Sequence, residues 1–192
     1  MIDRFHVQKL AYDALQEMRI AHRWDAIRKE SEAVDQAKYG GECYEPLRFL
    51  NGDSKKLLLA RSRYLLFKSP SSRSGSQKIR AQILLAQYPD IQKAYSLTHQ
   101  LRTIFNLTKD KAAAYTKLAR WYNNVACSEF KAFNAISATI YSHYPEILNF
   151  FDNRGTNASA ESFNAKIQAF RATLRGVSDI NFSLYRLCNI YA

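Results

Sequence analysis

The sequence predicts a mainly α-helical protein, and three observations carry that expectation. Apolar residues recur three and four positions apart in one segment after another, the repeat of a helix with one buried face. Strict apolar and polar alternation, the mark of a half-buried strand, is almost absent, and no internal repeat is visible. Clusters of Gly, Pro and Ser fall between the periodic segments, where they end one helix and open the next. With 192 residues, 47% hydrophobic and 13% aromatic, the chain has enough apolar material for a core in one or two small domains, which excludes a disordered tail.

Taken in order, the first helix starts at Asp3 as N-cap and carries Val7, Leu10, Ala11, Ala14, Leu15 and Met18 on one face. Asp25 with Lys29 and Arg28 with Glu32 add opposite charges at i,i+4, so the helix is expected to continue to the break at Gly40-Gly41. Pro46 and Asn51-Gly52 mark a loop. A second helix is predicted from Ser54 to Lys68, followed by a flexible connector from Ser69 to Ser76. Further helices are predicted over 77–88, 91–106, 109–127, 129–143, 146–151, 159–175 and 179–191. Phe130, Phe133, Ile136, Ile140, Tyr141 and Tyr144 repeat at helical spacing behind Trp121 and Tyr122, a pattern that reads as core.

The helix over 159–175 has Thr156, Asn157 and Ser159 as available N-caps and an apolar stripe of Phe163, Ile167, Phe170 and Leu174. Its other face places a single carboxylate, Glu161, with Asn164, Gln168 and Arg171. On periodicity alone Glu161 reads either as a metal ligand or as a salt-bridged surface acid.

The formal net charge of +11 points to an anionic partner, with nucleic acid first and a membrane surface second. Residues 54–89 contain Lys55, Lys56, Arg61, Arg63, Lys68, Arg73, Lys78 and Arg80 and no acid. Such a run can track phosphates; the bland alternative is a solvated helix face. Lys166, Arg171 and Arg175 form a second basic group. No apolar run approaches the length of a membrane span, and the N-terminus does not begin like a signal peptide. A cytosolic protein is expected. Cys43, Cys127 and Cys188 are scattered and fit neither a disulfide framework nor a zinc site, so buried free thiols are expected. His6, His22, His99 and His143 show no ligand spacing.

Two separated motifs carry a family resemblance. The segment NRGTNASAESFNAKIQAFR with LRGVSDINFSLYRLCNIYA resembles the C-terminal end of insertion-sequence DDE transposases of the ISL-three group, and IDRFHVQKL resembles the family's second-acid motif. ARSRYLLFKSP, YTKLARWYN and IYSHYPEILNFF read the same way, so the resemblance covers nearly the whole chain. It implies that Asp3 and Glu161 are the second and third acids of the catalytic triad and ligands of Mg²⁺, two ions about 4 Å apart in the intact site. His6, Asn157 and Asn164 would support those motifs. The partners implied are DNA, as transposon ends and target, and a second copy of the chain in a homodimer. Localisation in the bacterial cytosol with the nucleoid follows from that implication.

The fold implied is the C-terminal part of a ribonuclease-H-like core with a large helical insertion. Residues 1–40 are then the helix after the second acid, 41–150 the insertion, and 151–192 the core helices with the third acid. The resemblance also implies a first catalytic Asp on an upstream strand, whereas only Met1 and Ile2 precede Asp3. A truncated transposase, inactive alone, is therefore expected; the alternative is a non-catalytic basic helical DNA-binding protein derived from one. Gly155 and Ser178 also depart from the family pattern.

Overall fold

The computed structural model describes residues 4–153 continuously and, beyond them, only positions 165, 168–170, 172, 182, 185, 186 and 189. The chain divides into two compact units, Met1–Asp152 and Asn153–Ala192. Among the described residues the structure is mainly α, with no strand beyond an isolated bridge between Arg48 and Ser54.

Helix α1 runs unbroken over Arg4–Tyr39. Val7, Ala11, Ala14 and Leu15 are buried and Leu10 and Met18 pack against them, as the periodicity predicts. The helix ends where Gly41 takes φ 70°, which lets the Glu42 N–H reach back to the Ala37 carbonyl at 2.8 Å. A side chain would be strained there, so glycine at this position sets the helix length. Asp25 pairs with Lys29 at 2.7 Å, but Arg28 turns back to Asp25 at 2.6 Å instead of forward to Glu32.

The predicted helix over 54–68 is shorter than expected. α2 covers Lys55–Arg61, capped by Ser54, and a 3-10 turn follows at Leu65–Phe67. Ser62 is fully buried and donates its hydroxyl to the Leu58 carbonyl at 2.6 Å. That bond back to the preceding turn competes with helix continuation and bends the chain. The connector expected to be flexible is instead a second 3-10 turn, Pro70–Ser72, leading into α3 at Gly75–Gln87, where the Ser74 N–H donates to Gln77 Oε1 at 3.2 Å. α4 (Pro89–Leu107), α5 (Lys111–Ala126), α6 (Lys131–Ser142) and α7 (Tyr144–Asn153) match the predicted segments within a few residues. Pro89 opens α4, and Asp110 caps α5 by accepting from the Ala113 N–H at 2.7 Å.

α1 packs on α2, α4 and α6, and α4 packs on α3 and α5. Ala11 and Ala94 are fully buried where α1 meets α4; their small side chains let Thr98 Oγ1 reach the Ala11 carbonyl at 3.3 Å as well as its own Ala94 carbonyl at 2.9 Å. Trp121 is buried and donates Nε1–H to the Leu97 carbonyl at 2.9 Å, tying α5 to α4. Phe133, Ile136 and Ile140 from α6 and Ile147, Leu148 and Phe151 from α7 complete the core. The aromatic segment is thus core, with Tyr141 exposed at its edge. Each fully buried side chain of this size contributes about 1.5–3 kcal/mol before conformational entropy is set against it.

The expectation of buried thiols fails at the described cysteines. Cys43 and Cys127 are both exposed: one lies in the non-helical segment after Gly41 and the other caps the C-terminus of α5, beyond the reach of the core. Cys188 lies outside the described residues. In the second unit Phe170 is buried while Gln168 and Ala172 are exposed, consistent with the predicted stripe over 159–175.

Candidate nucleic-acid interface

From Ser54 to Ser128 the chain carries fourteen Lys and Arg and only two acids, Asp90 and Asp110. Both acids are engaged. Asp110 caps α5, and Asp90 binds the His22 ring at 2.5 Å while accepting from the Ile91 N–H at 2.9 Å. The positive charge of α2 to α5 is therefore not balanced within this segment and is met by residues outside it, by solvent ions or by a partner.

Part of it is balanced by Asp53, which is fully buried immediately before the segment begins. Arg80 donates Nε–H to it at 2.8 Å, Arg61 makes a second, very short contact, and Asn51 Nδ2 adds a third at 2.8 Å. Burial alone pushes the Asp53 carboxyl up, but the bonds from Arg80 and Arg61 more than offset it, so the group is held below its ordinary range. Gly52 at φ 78° makes the turn that presents this acid. Lys56 likewise pairs with Glu30 of α1 at 2.8 Å.

The turn at 65–68 is held by its carbonyls. Arg102 donates to Phe67 O at 3.1 Å and to the Tyr12 hydroxyl at 3.3 Å. The His99 ring binds Leu66 O at 3.2 Å, and the Tyr95 hydroxyl binds Lys68 O at 2.9 Å. Burial, above all, lowers the pKa of His99 and raises that of Tyr95. Both therefore stay neutral near pH 7 and serve as fixed donors to the turn. Arg73 lies 4.9 Å above the Tyr95 ring and donates to Lys68 O at 3.4 Å. On α1, buried Arg19 donates to Leu59 O at 2.9 Å, and burial followed by Arg23 and Arg63 lowers its pKa.

Beside this turn α4 and α5 form an open groove of about 570 Å³. Tyr95, Ile104 and Trp121 line it with apolar surface, Gln92, Gln100 and Asn124 with amides, and Lys117 and Arg120 with cations. No acid lines it. Asn124 Nδ2 donates to Gln100 Oε1 at 3.1 Å across the two helices.

The sequence-predicted residues distribute unevenly over this surface. Lys55 and Arg63 are exposed, with Arg63 5.3 Å from the Tyr64 ring. Lys68 donates to Gln77 at 3.2 Å. Lys56 and Arg61 are tied to acids, and Arg73 is only 9% exposed. His6 is exposed in the first turn of α1. Asp3, Asn157, Glu161, Asn164, Lys166, Arg171 and Arg175 lie outside the described residues. Asp53 and Glu30 were not singled out from the sequence, and of the groove residues of α4 and α5 only Trp121, read as core, and His99, read as no ligand, were named. Asp53 had a signal, the Asn51-Gly52 turn directly before the cap Ser54; the groove had none, since its members are spread over separate helices.

A helical unit with a long, acid-poor and strongly basic stretch, built from segments quoted above for their transposase resemblance, defines a class of DNA-acting protein. A family model described as a transposase, that of the ISL3 group, matches residues 1–187, and the chain belongs to this family. No curated protein and no solved structure matches it. Membership ties the chain to DNA transposition and makes DNA its partner. No described helix is long and apolar enough to cross a membrane.

Proposed function

We propose that the chain acts in DNA transposition by metal-assisted phosphoryl transfer, with Asp3 and Glu161 as the carboxylates that hold Mg²⁺. The observation that carries this reading is the family match across residues 1–187, which spans both acid-bearing motifs. Hard carboxylate oxygens suit Mg²⁺, and the described residues contain no competing cluster of three His, Cys, Asp or Glu. When bound, the ion supplies Lewis-acid polarisation of the phosphate and a more acidic bound water.

The rest falls to the chain's own side chains. Lys55, Arg63 and Lys78 are exposed and follow the duplex backbone, while Arg61 and Arg80, held by Asp53, fix the segment that presents them. Residues 41–150 are a helical insertion in a ribonuclease-H-like core to which 1–40 and 151–192 contribute. A homodimer would bring one such surface to each of an element's two ends.

Excision of an element from a reporter plasmid, in cells that also supply the segment bearing the family's first catalytic Asp, tests the assignment. Asp3→Asn and Glu161→Gln are each expected to abolish excision at unchanged protein level, since loss of a metal ligand costs orders of magnitude in rate. Excision that persists in either variant overturns its role as a ligand.

A further inference from the structure

The groove between α4 and α5 is unexplained by duplex binding. A duplex backbone presents phosphate and sugar, for which cations on a convex face suffice; it has no use for an apolar floor. Here the floor is Tyr95, Ile104 and Trp121, and the rim combines Lys117 and Arg120 with the amides of Gln92, Gln100 and Asn124. Amides offer donors and acceptors together, the complement of a base edge, and cations at the rim meet phosphates. The volume of about 570 Å³ falls in the range of sites that take small organic groups, room for a base or two and not a double helix. Charge complementarity favours a polyanion strongly. No acid lines the groove, and the two acids of residues 54–128 are committed elsewhere. Among the described residues Arg120 makes no ion pair, and Lys117 only donates to Thr108 Oγ1 at 3.2 Å. Arg73, nine-tenths buried, stacks on the wall residue Tyr95, and its Nε has no hydrogen-bond partner among the described residues.

We propose that this groove binds unpaired nucleotides of a DNA strand, with bases on the apolar floor and phosphates on Lys117 and Arg120. It rests on the transposition reading, since strand cutting and joining are what expose unpaired nucleotides next to duplex. None of the groove residues is one of the acids proposed to hold metal, so binding requires no catalysis.

The test is fluorescence anisotropy of the full 192-residue chain with a labelled oligothymidylate and, separately, a labelled duplex. Arg120→Ala with Asn124→Ala, both at exposed positions, is expected to weaken single-strand binding about tenfold, the scale of losing one phosphate contact and one base-edge contact. Lys117→Ala should flatten the single-strand salt dependence by about 0.7 in log–log slope. Duplex binding should change less than about twofold in these variants, and Lys55→Ala with Lys78→Ala should show the reverse pattern. Equal losses on both probes, or none on either, overturn the proposal. So does displacement of the oligothymidylate by polyglutamate as readily as by unlabelled oligothymidylate, which would make the groove a general polyanion or acidic-peptide site. As a second measurement, photocrosslinks from bromodeoxyuridine should map to residues 92–124; crosslinks confined to other segments count against the groove. Failure here with excision still dependent on Asp3 and Glu161 removes the groove and leaves the transposition reading. Excision independent of those acids removes their catalytic assignment and leaves the binding result to stand by itself.

Discussion

The distal half of α1, residues 20–39, and the stretch from Ser54 to Ser128 handle charge in opposite ways. The first has four acids and four basic residues on a single helix, and it settles much of that charge locally: Asp25 binds both Arg28 and Lys29, and Lys38 reaches Asp35 at 4.0 Å. The second has fourteen cations and two acids, and its neutralisation is imported. Asp53 and Glu30, both from outside the stretch, take Arg61, Arg80 and Lys56. The contrast separates two uses of a charged surface. Paired charges on an exposed helix produce little field and little stability. An unbalanced set with two of its arginines locked onto one buried acid produces a field with a fixed shape, which is what a DNA-binding face needs.

The largest effect should come from breaking that lock. Asp53→Ala leaves Arg80, and in part Arg61, without their partner, and is expected to cost about 3 kcal/mol, or roughly 6–12 °C in Tm for a unit of this size. The same pair has a pH signature. Because folding holds the Asp53 carboxyl below its ordinary range, its contribution is fully present above the unfolded value of about 3.9 and is lost as pH falls through that value toward the folded one. Chemical denaturation of the native chain and of Asp53→Asn should therefore converge below about pH 4 and stay apart above about pH 5. A constant gap at all pH values would mean that Asp53 acts by shape and not by charge.

A smaller effect would separate the cations proposed to bind DNA from those that hold the fold. Removing Lys55, Arg63 and Lys78 together should lower the duplex salt slope by up to about 2.7 while leaving Tm nearly unchanged. Arg80→Ala should do the opposite, lowering Tm with little change of slope, because Arg80 is spent on Asp53. If Arg80→Ala moves the slope as much as each exposed lysine does, the lock and the binding face are one and the same.

How much of this was legible in the sequence follows from the range of the interactions involved. Helix α1 and its end at Gly41 were readable because periodicity and a left-handed cap are local properties. The break after Arg61 was not, since Lys55 to Lys68 is rich in helix formers and the turn is set by buried Ser62 and by side chains of α1 and α4 that seize its carbonyls. The acid-free run over 54–89 was visible, yet its charge partners are an acid one residue upstream and another on α1. Pairing across helices has no spacing rule, and the groove of α4 and α5 is hidden for the same reason. The two motifs that identify the family were legible as wording, whereas the placement of Asp3 and Glu161 lies outside the described residues.

The smallest effect is expected in α1. Asp25 touches both Arg28 and Lys29, and the bond from Lys29 leads the causes that lower its pKa, so a contact list would rank it with Asp53. It differs in exposure: its partners are each 69% exposed, and water replaces either bond at little cost. Asp25→Ala should thus leave Tm within about a degree of the native value, with any loss erased by added salt, because exposed pairs of this kind are screened over about 10 Å at 0.1 M ionic strength. The Asp53→Ala loss, by contrast, should persist in salt, since a buried acid is poorly screened. Thermal melts of the two variants at low and high ionic strength check both statements. An Asp25 variant that loses as much stability as the Asp53 variant would show that α1 depends on its own ion pairs, and the division between locally settled and imported charge would no longer hold.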